Sequence, residues 1–217
     1  LLASLGLFLI LLAGLLLMAF LPGAMPPLKS PVEPVKNFPL ALEKIEELKK
    51  QAPPEVREEC RGRVMHHGHP TKRVYVLMHG LTNCPAQFFQ LGQMLFEQGA
   101  NVVIPRLPYH GLSGDYDRKQ VYITADNMLA VATLAVNLAH GLGEEVCVIG
   151  LSVNGTVAAW LAQNRSDLHT VMVLAPFLAP PGLPPAAIAP LTRVLIRLPN
   201  RLVWWDPRLR AALEGPE

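Results

Sequence analysis

Ser152 stands in Gly150-Leu151-Ser152-Val153-Asn154-Gly155, directly after the β-rich run Glu145 to Ile149 and directly before a helical stretch. A serine at such a strand-to-helix turn is lifted above the strand ends. The N–H that follows it lies at a helix N-terminus, where unpaired donors and the helix dipole favour a developing negative charge. In that context Ser152 would be a nucleophile and the Val153 amide half of an oxyanion hole. The other half belongs on the loop after an adjacent strand, and His79-Gly80-Leu81 stands there, after Arg73 to Met78 and before the helix that starts at Pro85. The plain alternative for Ser152 is an N-cap serine in a glycine-rich turn.

Three segments in order, HGLTNCPAQF, RLPYHGLSG and GLSVNG, resemble the α/β-hydrolase superfamily, more closely its lipase, esterase and monoacylglycerol-lipase-like members. The likeness covers about Arg61 to Ala179. It implies an α/β-hydrolase fold, Ser152 as the nucleophile and Leu81 as the second oxyanion donor. His79, Gly80 and the His110-Gly111 turn would support the site. The chemistry it implies is hydrolysis of a carboxylic, lipid-like ester through an acyl-enzyme, with no cofactor. One departure is Asn154, which occupies the place where the family's G-x-S-x-G carries its second glycine, with Gly155 following.

Such hydrolases also need a histidine and an acid, arriving in chain order after the serine. After Ser152 the one histidine is His169, at the mouth of the strand Thr170 to Leu174 and so at the wrong end of the sheet. Asp167 shares that edge, and Asp206 falls in what reads as an inserted cap. The expectation is therefore a chain whose triad acid and histidine lie beyond Glu217, and which is itself nearly inactive. A non-catalytic binding module with the same fold, or an acyltransferase using the same serine, are the other readings.

The elements that must position these residues follow a strand-helix rhythm, the signature of a mostly parallel sheet covered on both faces. Strands are predicted at Arg73 to Met78, Asn101 to Pro105, Glu145 to Ile149 and Thr170 to Leu174, the last as a buried central strand. Helices are predicted at Pro85 to Gln98, Ile123 to His140 and Val153 to Gln163. Leu40 to Gln51 reads as a short amphipathic helix, with Leu42, Ile45 and Leu48 on one face and Glu46 paired with Lys50.

Ahead of them, Leu1 to Leu21 holds 18 apolar residues of 21, which predicts a retained single-pass membrane anchor, with its orientation left open. Pro22, Pro26, Pro27, Pro31, Pro34 and Pro39 then read as a stiff spacer. The division expected is an anchor over 1–21, spacer and helix over 22–60, hydrolase domain over 61–179 and the start of a cap over 180–217. Trp204-Trp205 would pack that cap or the pocket rim.

Nineteen basic against 17 acidic residues, with no long basic run, exclude a nucleic-acid footprint. His66, His67 and His69 lack an acidic partner and read as a hairpin turn around Gly68 and Pro70, so no metal is expected. Cys147 reads as a core residue, while Cys60 and Cys84 could pair in an oxidising compartment.

Overall fold

The computed structural model describes residues 2–21, 27–113, 119–179 and 182–197. Among them run six α-helices, α1 (Leu2–Phe20), α2 (Phe38–Lys50), α3 (Phe89–Glu97), α4 (Ala125–Leu142), α5 (Val153–Asn164) and α6 (Pro185–Leu195). Five strands accompany them, β1 (Arg63–Met65), β2 (Thr71–Met78), β3 (Asn101–Ile104), β4 (Gly143–Leu151) and β5 (Thr170–Leu174). The chain divides into two units, Leu28–Leu178 and a second built from Leu1–Pro27 with Ala179–Glu217.

The larger unit is a five-stranded sheet in the order β1-β3-β2-β4-β5. β2, β3, β4 and β5 are mutually parallel, and β1 alone runs antiparallel, with Arg63 opposite Ile104 and Met65 opposite Val102. Alternation along the strands sorts the core into two layers. Val74, Val76, Val103, Val146 and Val148 face α2, α4 and α5, while Leu77, Val102, Ile104 and Ile149 face α3.

Local chemistry accounts for the helix ends. Thr124 caps α4 by accepting from the Asn127 N–H, and the Asn127 side chain accepts from the Thr124 N–H in return, a reciprocal capping box. Gly99, at φ 89, closes the turn after α3, a conformation that suits glycine.

Three expectations about elements change. β5 is an edge strand among the described residues, with Met172 48% exposed, where a buried central strand was expected. The histidine-rich stretch is not a hairpin turn, because the strand before it pairs with β3 and not with β2. In α2 the buried residues are Phe38, Ala41 and Ile45, with Leu48 half out, and the ion pair joins Lys49 to Glu46 at 2.6 Å, not Glu46 to Lys50.

The proline-rich stretch expected as a spacer lies against this unit from Leu28 onward. Val35 is buried and its N–H donates to Asn137 O, while Ser30 Oγ meets Thr133 Oγ1 at 2.6 Å. Arg165, 3% exposed, ties the same stretch to the domain by donating to Ser30 Oγ, Pro31 O and Asn137 Oδ1. Pro22 and Pro26, with Trp204-Trp205 and Asp206, fall outside the described residues.

In the smaller unit α1 packs beside α6, and Arg193 and Arg197 donate to the carbonyls of Ala19, Met18 and Leu21 at the C-terminal end of α1. Cations there satisfy orphan carbonyls and oppose the negative end of the helix dipole. The expectation of a single-pass N-terminal membrane anchor is overturned: among the described residues no helix is long and apolar enough to cross a membrane.

Candidate active site

Ser152 sits between the end of β4 and the first residue of α5 at φ 58, ψ −119, a strained conformation for a residue with a side chain. Its hydroxyl makes no cap bond to α5, so the N-cap role is not the one it fills. The surrounding backbone holds the turn rigidly. Ser152 N–H donates to Leu174 O at 2.9 Å, and Ser152 O accepts from the N–H groups of Thr156 and Phe177. The loop after β5 therefore folds back onto the serine, with Ala175 itself at φ 41.

Two glycines make this turn possible. A Cβ on Gly150 would lie 2.1 Å from Asn154 O and 2.8 Å from Ala158 Cβ, so the chain reverses in space that only hydrogen can share. A Cβ on Gly155 would stand 2.9 Å from Leu174 O and 3.1 Å from Pro176 Cα. Close approach of helix to strand thus rests on Gly155, one place later than the pattern G-x-S-x-G supplies it.

Asn154 is 1% exposed, and its Nδ2 donates to His79 O at 2.6 Å. Its side chain bridges the helix to the loop after β2, and among the described residues its Oδ1 is left buried without a partner.

That loop is fixed from several sides. A Cβ on Gly80 would be 3.6 Å from Ser152 Cβ and 4.0 Å from Leu151 O, which brings the His79-Gly80-Leu81 segment against the serine turn. Gly80 N–H donates to Gln87 Oε1 at 2.9 Å. His79 is fully buried; Leu107 N–H donates to its Nε2 at 3.2 Å, which leaves Nδ1–H to donate to Gly80 O at 2.9 Å. Burial pushes the His79 pKa down to about 4, so the ring is neutral at pH 7.

His110 is buried beside it, ring centroids 5.3 Å apart, with Nε2 2.6 Å from Leu81 O and Nδ1 2.8 Å from Pro108 O. Burial lowers its pKa too, and a neutral ring donates to one of these carbonyls at a time. Cys84 closes the far end of the loop through a disulfide to Cys60, Cα–Cα 5.3 Å. Among the described residues the N–H groups of Leu81 and Val153 are committed to no other acceptor.

Beside Val153 opens an apolar cavity of about 160 Å³, with Met128, Val157, Trp160 and Phe177 in its wall. The remaining histidines lie elsewhere. His169 is at the opposite end of the sheet, its N–H donating to Val146 O and its Nε2 3.6 Å from Glu145 Oε2. Asp167 is bound to Arg165 and, at 2.8 Å, to His140. His67 stacks on Phe96 at 4.1 Å and His69 Nδ1 bonds Pro70 O. Ser152, Gly80, Leu81 and Val153 are thus brought together, with His79 and His110 behind them, and no histidine nitrogen among the described residues reaches Ser152.

Gln87, as the side chain that holds Gly80, carries no mark in the sequence, and Asn154 is marked only as the departure from G-x-S-x-G, not as a bridge. Residues 75–216 match the family model described as the alpha/beta hydrolase family. A solved chain described with LipS and LipT, two metagenome-derived lipolytic enzymes, is 21% identical with a TM-score of 0.44. The overlap covers 49% of this chain and 41% of that one, so the present chain spans about two fifths of that neighbour's length. No curated protein matches the chain.

Proposed function

Because the chain belongs to the alpha/beta hydrolase family, we propose that it hydrolyses a carboxylic ester through an acyl-enzyme on Ser152. The observation that carries the reading is the backbone of Ser152, held at φ 58, ψ −119 with its hydroxyl released from capping. Strain of this kind persists where the surroundings over-determine it, and it supports a hydroxyl kept for chemistry and not for capping.

In the proposed reaction Ser152 Oγ attacks the ester carbonyl carbon, and the C=O electron pair moves onto oxygen. The Leu81 and Val153 N–H groups would hold that oxygen. Collapse then expels the alcohol, which takes up the proton given by Ser152, and water releases the acid from the serine in a second, equivalent step. The apolar cavity beside Val153 suits a hydrocarbon portion of the substrate. The proton needs a carrier, and among the described residues none of the histidines is bonded to Ser152 Oγ; a binding module is the second reading. In it the fold binds an ester-like ligand without turning it over.

A fluorophosphonate probe separates the two. Labelling in the wild-type protein and none in Ser152→Ala is expected of the hydrolase. Equal labelling of both would remove Ser152 from the mechanism, and no labelling of a folded protein would support the binding module.

A further inference from the structure

A second cavity, of about 610 Å³, lies between α2, α4 and the β1–β3 edge, and shares no wall residue with the space beside Val153. Its volume is in the range of small-molecule sites, about 300–1,000 Å³. Leu48, Val64, Val131 and Leu134 make much of its wall apolar, and Arg61 and Arg106 stand together in it. A Cβ on Gly62 would be 3.4 Å from Arg106 N and 3.9 Å from Arg106 Cβ, so the residue after Arg61 packs directly on Arg106.

The charges in this wall do not balance. Lys49 Nζ is 2.6 Å from Glu46 and the Arg63 guanidinium is stacked 3.7 Å over Phe89, outside the competition. Arg61 is ion-paired at its Nε, 2.8 Å away, with the exposed carboxylate of Glu58, itself in the cavity wall, though without hydrogen-bond alignment. Arg106 uses Nη1 on the carbonyls of Leu107 and His110, and among the described residues no carboxylate answers its charge. Burial and the neighbouring Arg61 both weaken its hold on its proton. One negative charge in the cavity would answer Arg106 and share Arg61 with Glu58, and an apolar wall of this extent would cover a hydrocarbon tail.

We infer that this cavity is a binding site for a fatty-acid anion, its carboxylate held by Arg61 and Arg106 and its chain lying between Leu48, Val64, Val131 and Leu134. The inference is independent of chemistry at Ser152. Isothermal titration of the full chain with dodecanoate, below its micelle concentration, is expected to reveal one saturable site. Arg61→Gln is expected to weaken it about tenfold or more, as the loss of a charge-assisted hydrogen bond does. Leu134→Glu, at a helix position 42% exposed where folding tolerates a carboxylate, is expected to weaken it comparably.

Dodecyltrimethylammonium, with the same chain and the opposite charge, is expected not to compete, and Ser152→Ala to bind as wild type does. Absence of saturable binding, unchanged affinity in either folded variant, or competition by the cation would each overturn the inference. So would loss of binding in Ser152→Ala, which would seat the fatty chain at the serine instead. Circular dichroism checks folding, and should Arg61→Gln misfold, the Leu134 variant decides alone.

Discussion

Asn154 does what a glycine in its place could not, because its amide joins the first turn of α5 to His79 O and so couples the serine turn to the loop after β2. His79 completes the coupling from the loop side, since its neutral ring accepts from Leu107 N–H and donates to Gly80 O. Protonation would convert Nε2 from acceptor to donor and put a charge in a fully buried place. With the folded pKa at about 4 against an ordinary 6.5, the unfolded chain binds the extra proton between those values. Stability at this residue is therefore complete above pH 6.5 and falls as pH drops toward 4, by about 3 kcal/mol. Urea midpoints measured at pH 7, 5.5 and 4 are expected to fall in that order, and His79→Gln to flatten the slope.

The strand-turn-helix element β4-Ser152-α5 depends on Gly150 more than on any side chain. Gly150→Ala drives a Cβ into Asn154 O and Ala158 Cβ, two parts of one rigid helix turn that cannot both move. A loss of about 3 kcal/mol or more is expected, with loss of whatever activity Ser152 supports. Gly68→Ala, which meets open space and has only its φ of 84 to strain it, is expected to cost about 1 kcal/mol. Chemical denaturation of the two variants side by side checks the difference.

This element was legible in the sequence because each of its parts is local: a β-branched run, a glycine turn, a helix of small and apolar residues. β1 was not legible. Three residues carry no periodicity, and its partner β3 follows only after β2 and α3 have been made. The bridge from Asn154 was equally hidden, since the residue it binds is 75 positions away. The packing of the proline-rich stretch from Leu28 onward was hidden for the same reason, as its partners Thr133, Asn137 and Arg165 lie over a hundred positions on.

At the scale of the Leu28–Leu178 unit, Asp167 and Arg165 hold three distant stretches of chain together. The Arg165 guanidinium, buried and bonded to the Asp167 carboxylate, keeps that carboxyl down at about 2, well below its ordinary value. Removing the acid strands a buried cation that also supports Ser30, Pro31 and Asn137. Asp167→Ala is expected to cost about 3 kcal/mol, because breaking a buried pair leaves an uncompensated charge. Its mark on acid unfolding is distinct: the folded carboxyl has the lower pKa, so its stabilisation is present above pH 4 and is lost as pH falls toward 2. A titration of unfolding across that range is expected to lose its final step in the variant.

The disulfide between Cys60 and Cys84 bears on the order in which the chain can assemble. The two cysteines are 24 positions apart, and the segment between them contains β1 and β2, which are not neighbours in the sheet. During synthesis both strands emerge before β3, the strand that will separate them, so for that interval each presents unpaired backbone edges. A bridge formed at this stage closes a loop worth about 3 kcal/mol of chain entropy. It keeps the two strands in one small volume while leaving the gap between them open for β3 to enter. A chain that stays reduced must gather the same three strands from a far larger set of arrangements, with its strand edges exposed to other copies while it does so.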